Sequence, residues 1–135
     1  HAFTISVADI DHLEAADFLG MASGNKMPDK FERTGLHAVP SERVDAPVVV
    51  EFPVTLECRV VDIRVNDGTA HVVGEIVNVQ VDEKVLDERG RVDPKRLNAF
   101  LFDAFQNGYY AIGEKVGQAW KSGAAMMRMG ANDNA

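Results

Sequence analysis

The segment Ala22-Ser23-Gly24-Asn25-Lys26-Met27-Pro28-Asp29-Lys30-Phe31 places a hydroxyl, a glycine and two lysines just ahead of a helix-start signal. Glycine lets backbone N–H groups approach a ligand closely, and free N–H groups with ammonium charge nearby can receive a phosphate or another anion. Loops of Gly, Asn and Lys are also ordinary solvated connections, so composition alone leaves both readings open. Other chemistries find less support. None of His1, His12, His37 and His71 is spaced as a pair on one helix face, and no His-Glu-x-x-His or cysteine pair exists. They read as surface or locally bonded histidines, and no metal site is expected. No Gly-x-Ser-x-Gly elbow, Gly-x-Gly-x-x-Gly or P-loop pattern occurs either. Cys58, the one cysteine, lies in the alternating run Val54-Thr55-Leu56-Glu57-Cys58-Arg59-Val60. There it reads as a small buried strand residue in preference to a redox thiol, in a reducing setting.

The elements that must position this segment are mostly strands. Residues 2–7 alternate and carry β-branched and aromatic side chains, which predicts a strand. Residues 9–19 switch to helical spacing, with Asp11 and Glu14 arranged like a capping box. Residues 28–35 predict a short helix that opens on a proline and stops at a glycine. Residues 52–65 and 69–81 both alternate around Asn66-Asp67-Gly68, which predicts a long hairpin that curls more readily than it stays flat. Residues 87–93 predict an exposed loop. Leu97, Phe100 and Leu101 give residues 94–105 a mixed helical signal, while the residues of 108–113 predict a last strand and those of 114–121 a helical turn or two. The chain divides into one domain, 1–121, and a loose C-terminal tail, 122–135.

Bulk properties narrow the function. At 135 residues the chain suits one domain. Its net charge is −7 with scattered basic residues, whereas a nucleic-acid binder gathers Lys and Arg into a patch. No apolar run reaches the roughly 18 residues of a membrane-crossing helix. A soluble, cytoplasmic protein is expected, with no nucleic-acid or membrane partner. The chain opens at His1 directly in a strand-like run, which predicts that an upstream piece precedes it.

Seven groups of residues, in order, resemble the flavin reductase family and its flavoredoxin-like branch. They are Ala2-Phe3-Thr4-Ile5-Ser6, Ala16-Asp17-Phe18-Leu19-Gly20-Met21-Ala22-Ser23-Gly24, and Asp29-Lys30-Phe31 with Thr34-Gly35-Leu36. Asp45-Ala46-Pro47, Glu51-Phe52-Pro53 leading to Leu56-Glu57-Cys58-Arg59, Val73-Gly74-Glu75-Ile76 and Tyr109-Tyr110-Ala111-Ile112-Gly113 follow. The resemblance implies a mainly β fold, an FMN-binding split β-barrel with short connecting helices, whose first strands lie upstream of this sequence. It also implies a homodimer with FMN near the subunit interface.

By position, the resemblance places Ser23, Gly24 and Lys30 against the flavin, and Phe102 near its ring. For Phe102 a core aromatic is an equal alternative. The protein would act as an FMN oxidoreductase drawing on NADH or NADPH and passing electrons onward, with a redox partner protein among the expected acceptors. Many relatives carry a histidine where this chain has Thr69, and His71 lies two positions along on the same strand face. That departure favours a flavoredoxin-type carrier that does not itself oxidise NAD(P)H. A third reading is a non-catalytic dimerising barrel that has lost the flavin site.

Overall fold

The computed structural model describes residues 1–129. Strand β1 (Ala2–Val7) is followed by a 3-10 turn at Ile10–His12 and helix α1 (Leu13–Met21). The cap differs from the predicted one: the Asp9 carboxylate, not Asp11, accepts the His12 N–H at 3.2 Å. Where a short helix was predicted over 28–35, a turn and one 3-10 turn (Glu32–Thr34) are found, ended by Gly35 at φ 71°. Strands β2 (Ala38–Pro40) and β3 (Pro47–Val49) then pair antiparallel.

The long hairpin is present as β4 (Val54–Asn66) and β5 (Thr69–Val81), thirteen residues each. Asp67 and Gly68 both take positive φ, 49° and 78°, the primed two-residue turn that matches strand twist. The pairing register shifts at Glu57/Cys58 and again at Val60/Asp62. Such bulges bend a strand pair and increase its twist, which is what a barrel wall requires. β1 pairs antiparallel with the other edge of β4, giving the sheet order β1-β4-β5.

The pairing assigns the two sheet faces opposite characters. Phe3, Ile5, Leu56, Cys58, Ile63, Val72, Gly74, Ile76 and Val79 share one face, and Thr4, Ser6, Thr55, Glu57, Asn78 and Gln80 the other. The polar face is the covered one. Thr4 Oγ1 donates to Pro47 O at 2.5 Å, and Ser6 and Thr55 hydroxyls meet at 3.0 Å. Glu57 is wholly buried and accepts from the Ser41 hydroxyl, the Asn78 amide and, at 3.1 Å, the Gln80 amide. On the apolar face Cys58 is buried, as expected of a strand residue, while Ile5, Ile63, Val72, Ile76 and Val79 stand half-exposed. Phe3, Ile5, Cys58, Val72, Gly74 and Ile76 line a 490 Å³ cleft there.

After the hairpin come a 3-10 turn at Glu83–Val85 and the four-residue helix α2 (Pro94–Leu97). Residues 94–105 do not continue as a helix. Asn98 adopts a left-handed φ of 50°, which ends α2, and β6 (Phe100–Asp103) pairs with β7 (Gly108–Ala111). The helical turn predicted at 114–121 is not formed; a short helix α3 (Ala124–Met129) lies further on. Of the tail, residues 130–135 lie outside the described residues. No helix among the described residues is long and apolar enough to cross a membrane.

Candidate functional site

The Ser23–Lys30 turn sits at the C-terminal end of α1. Ala22 N–H closes the helix on Phe18 O at 2.9 Å, and Ala22 itself is extended, with ψ 122°. Ser23 O then accepts from Lys26 N–H at 3.0 Å and Met27 N–H at 2.9 Å, so the backbone reverses within a few residues. Lys30 N–H reaches Met27 O at 3.2 Å. Three of the sequence-predicted residues, Ser23, Gly24 and Lys30, are thereby brought into one turn.

Their states differ. Ser23 and Gly24 are exposed, and among the described residues neither the Ser23 hydroxyl nor the Gly24 N–H donates to a protein group. A Cβ on Gly24 would meet only Lys30 Cε, at 4.0 Å, and Gly24 does not use a positive φ. Protein packing therefore does not require glycine at this position, whereas close approach of a ligand to the backbone would. Lys30 is half-buried, and its ammonium donates to Leu19 O and Ala22 O, each at 2.9 Å. Asp29 beside it pairs with Arg33 at 2.9 Å, and that hydrogen bond holds its carboxyl below the usual aspartate range.

Phe102 is not part of the turn. It lies on β6, 53% exposed, with its ring tilted against Tyr109 at 5.5 Å between centroids. Tyr109 also meets Phe100 edge-on at 5.3 Å. The exposure sets Phe102 apart from a core aromatic. The connection to the turn runs through Tyr109, whose hydroxyl donates to Asp17 Oδ1 on α1 at 2.6 Å. That bond raises the phenol pKa above its ordinary value, because the neutral form is the donor. Neither Asp17 nor Tyr109 is marked as a positioning group by its spacing in the sequence, because their contact joins positions 92 residues apart.

The Ser23 hydroxyl and Gly24 N–H, unpaired among the described residues, and the remaining N–H of Lys30 suit a phosphate or the polar edge of a flavin ring. Thr69 and His71 lie on the far hairpin, Thr69 opposite Asn66 and His71 opposite Arg64, both exposed. Among the described residues no group of three His, Cys, Asp or Glu side chains could hold a metal ion.

Comparison with known proteins agrees with this architecture. The family described as flavin reductase like domain matches residues 1–106. The flavoredoxin of Desulfovibrio vulgaris (Miyazaki F) is 38% identical, with a TM-score of 0.81 over 90% of this chain and 64% of its own. The flavoredoxin of Methanosarcina acetivorans is 27% identical, with a TM-score of 0.82 over 92% of this chain and 64% of its own. An FMN-binding domain of a flavin reductases-like enzyme from Shewanella baltica, 18% identical, shares the fold at a TM-score of 0.68, covering 85% of this chain and 62% of its own. The chain thus spans about 64% of the length of the flavoredoxins it matches. Mainly β, with the wall of a split barrel, the chain belongs to the flavin reductase-like family, in its flavoredoxin branch.

Proposed function

We propose that this chain is part of an FMN-binding redox module and contributes some of its flavin contacts. The observation that carries the reading is the Ser23–Lys30 turn, where a hydroxyl and a backbone N–H have no protein partner among the described residues and lie beside an ammonium group. Bound flavin would supply the redox chemistry, exchanging a hydride or single electrons with a donor and an acceptor. Ser23 and Gly24 would donate hydrogen bonds to it, and Lys30 would hold positive charge near its anionic groups. Phe102 would offer an apolar face from the β6–β7 hairpin, in a site completed by a second copy of the protein.

Thr69, where many relatives carry histidine, favours electron carriage over direct oxidation of NAD(P)H. The 38% identity to a flavoredoxin supports the same reading. The module would then pass electrons to a partner protein in the cytoplasm.

Titration of the complete protein with FMN, followed by flavin fluorescence and gel filtration, tests the reading. Tight quenching on a dimer is expected. A colourless protein indifferent to FMN overturns it and leaves the non-catalytic barrel. Anaerobic addition of NADH or NADPH to the loaded protein then separates the two redox readings: persistence of the oxidised flavin band supports the carrier, and rapid bleaching the reductase.

A further inference from the structure

We propose that Lys30 is a positioning residue, whose ammonium ties the last turn of α1 to the start of the Ser23–Met27 turn and so fixes where Ser23 and Gly24 present their donors. The inference rests on the reading of that turn as the flavin-facing surface.

Leu19 O is one of the terminal carbonyls of α1 that a helix leaves without an intrahelical partner. Ala22 O belongs to the extended residue that follows. One ammonium at 2.9 Å from each therefore joins a carbonyl inside the helix to one outside it. The next residue, Ser23, has its carbonyl held by Lys26 and Met27. The ammonium thus holds the Ala22–Ser23 peptide through its carbonyl, and the Lys26 and Met27 amides hold the next peptide, Ser23–Gly24, through its own; these two successive units determine where the Ser23 side chain and the Gly24 N–H point.

Charge gives the arrangement a second effect. The carbonyl end of a helix carries roughly half a negative charge, which repels a phosphate. Lys30 places a full positive charge at that end and offsets it locally. Lys26, four residues earlier, is exposed and makes no side-chain hydrogen bond among the described residues. A lysine serving only as a ligand contact would resemble Lys26; Lys30, half-buried with two donors engaged, does not.

Amide hydrogen exchange of the flavin-free complete protein provides the test, together with FMN affinity, for Lys30→Met, Lys30→Gln and Lys30→Arg. In Lys30→Met the Lys26 and Met27 amides are expected to exchange about tenfold faster or more, with the melting temperature nearly unchanged, as for local opening. FMN affinity is expected to fall about tenfold in Lys30→Met and less in Lys30→Gln, and to recover in Lys30→Arg, which can still donate to both carbonyls. Unchanged exchange in Lys30→Met and Lys30→Gln overturns the proposal and makes Lys30 a ligand contact alone. If the wild type takes up no flavin, the reading of the turn fails, while the exchange measurement still decides what Lys30 does.

Discussion

The Tyr109 hydroxyl donates to Asp17 Oδ1 at 2.6 Å, joining the β6–β7 hairpin to α1 across 92 residues of sequence. On one side of this bond Phe102 packs against Tyr109, and on the other α1 runs into the Ser23 turn. This side-chain pair, with the Asp9–Ala99 bridge and the Ile10 N–H to Asn98 O bond at 3.0 Å, holds the two parts of the candidate site in relation.

Because Asp17 stabilises the neutral phenol, Tyr109 is expected to ionise above the usual tyrosine value of about 10. A raised pKa contributes stability below the unfolded value, and that contribution is lost as pH rises through the folded one. Ultraviolet titration in a Tyr110→Phe background should show a late tyrosinate that moves down in Asp17→Asn. A curve unaffected by Asp17→Asn would mean that the bond does not persist in solution.

Gly24→Ala separates packing from binding. The added methyl meets only Lys30 Cε at ordinary contact distance, so stability should change by less than about 0.5 kcal/mol. FMN affinity should nevertheless fall several-fold, because the methyl stands where a ligand would approach the backbone. Calorimetry with and without FMN reads both quantities.

Gly74→Ala should behave in the opposite way. A Cβ there would lie 2.5 Å from Phe3 Cζ and 3.3 Å from Cys58 Cβ. The Phe3 ring borders an open cleft and can swing aside, so the cost should be at the low end for overpacking, about 1–2 kcal/mol. Adding Phe3→Leu should recover part of it, giving a coupling measurable by denaturant titration in a double-mutant cycle.

Glu57 should shape the acid limb of stability. Its hydrogen bonds from Ser41 and Asn78, the largest effects, hold its carboxyl below the usual glutamate range against the opposing effect of burial. The ionised group therefore stabilises the fold above its unfolded pKa of about 4.3, and this is lost as pH falls through the lower folded value. Asp29, Glu51, Asp82 and Asp87 are lowered too, so the wild-type limb is shared. The difference between wild type and Glu57→Gln, followed by thermal melts from about pH 6 to 2, isolates Glu57 and should shrink toward the acid end.

Local signals were legible where they agreed with one another. The alternation on either side of Asp67-Gly68 defined the long hairpin, because turn chemistry and strand period pointed the same way. The Ser23–Lys30 turn was legible as a place, since its glycine and lysines cluster in sequence. The 94–105 region misled because Leu97, Phe100 and Leu101 fall at helical spacing while Asn98 breaks the helix between them. The bonds of Lys30 to α1, and of Tyr109 to Asp17, are tertiary pairings that no periodicity encodes. The covering of the polar sheet face was equally hidden, since alternation separates two faces without saying which one is buried.

The burial of Glu57 also bears on how the strands find their partners. Slipping β4 by one residue against β1 and β5 would carry the carboxylate to the side of Phe3 and Ile76, away from Ser41, Asn78 and Gln80. The carboxylate would lose all three donors, and an apolar side chain of β4 would take its place on the covered face, leaving the Ser41, Asn78 and Gln80 groups without their acceptor. One acid thus proofreads the alignment of three strands: a misaligned sheet buries three polar groups without their acceptor, whereas the aligned sheet joins them on a single carboxylate.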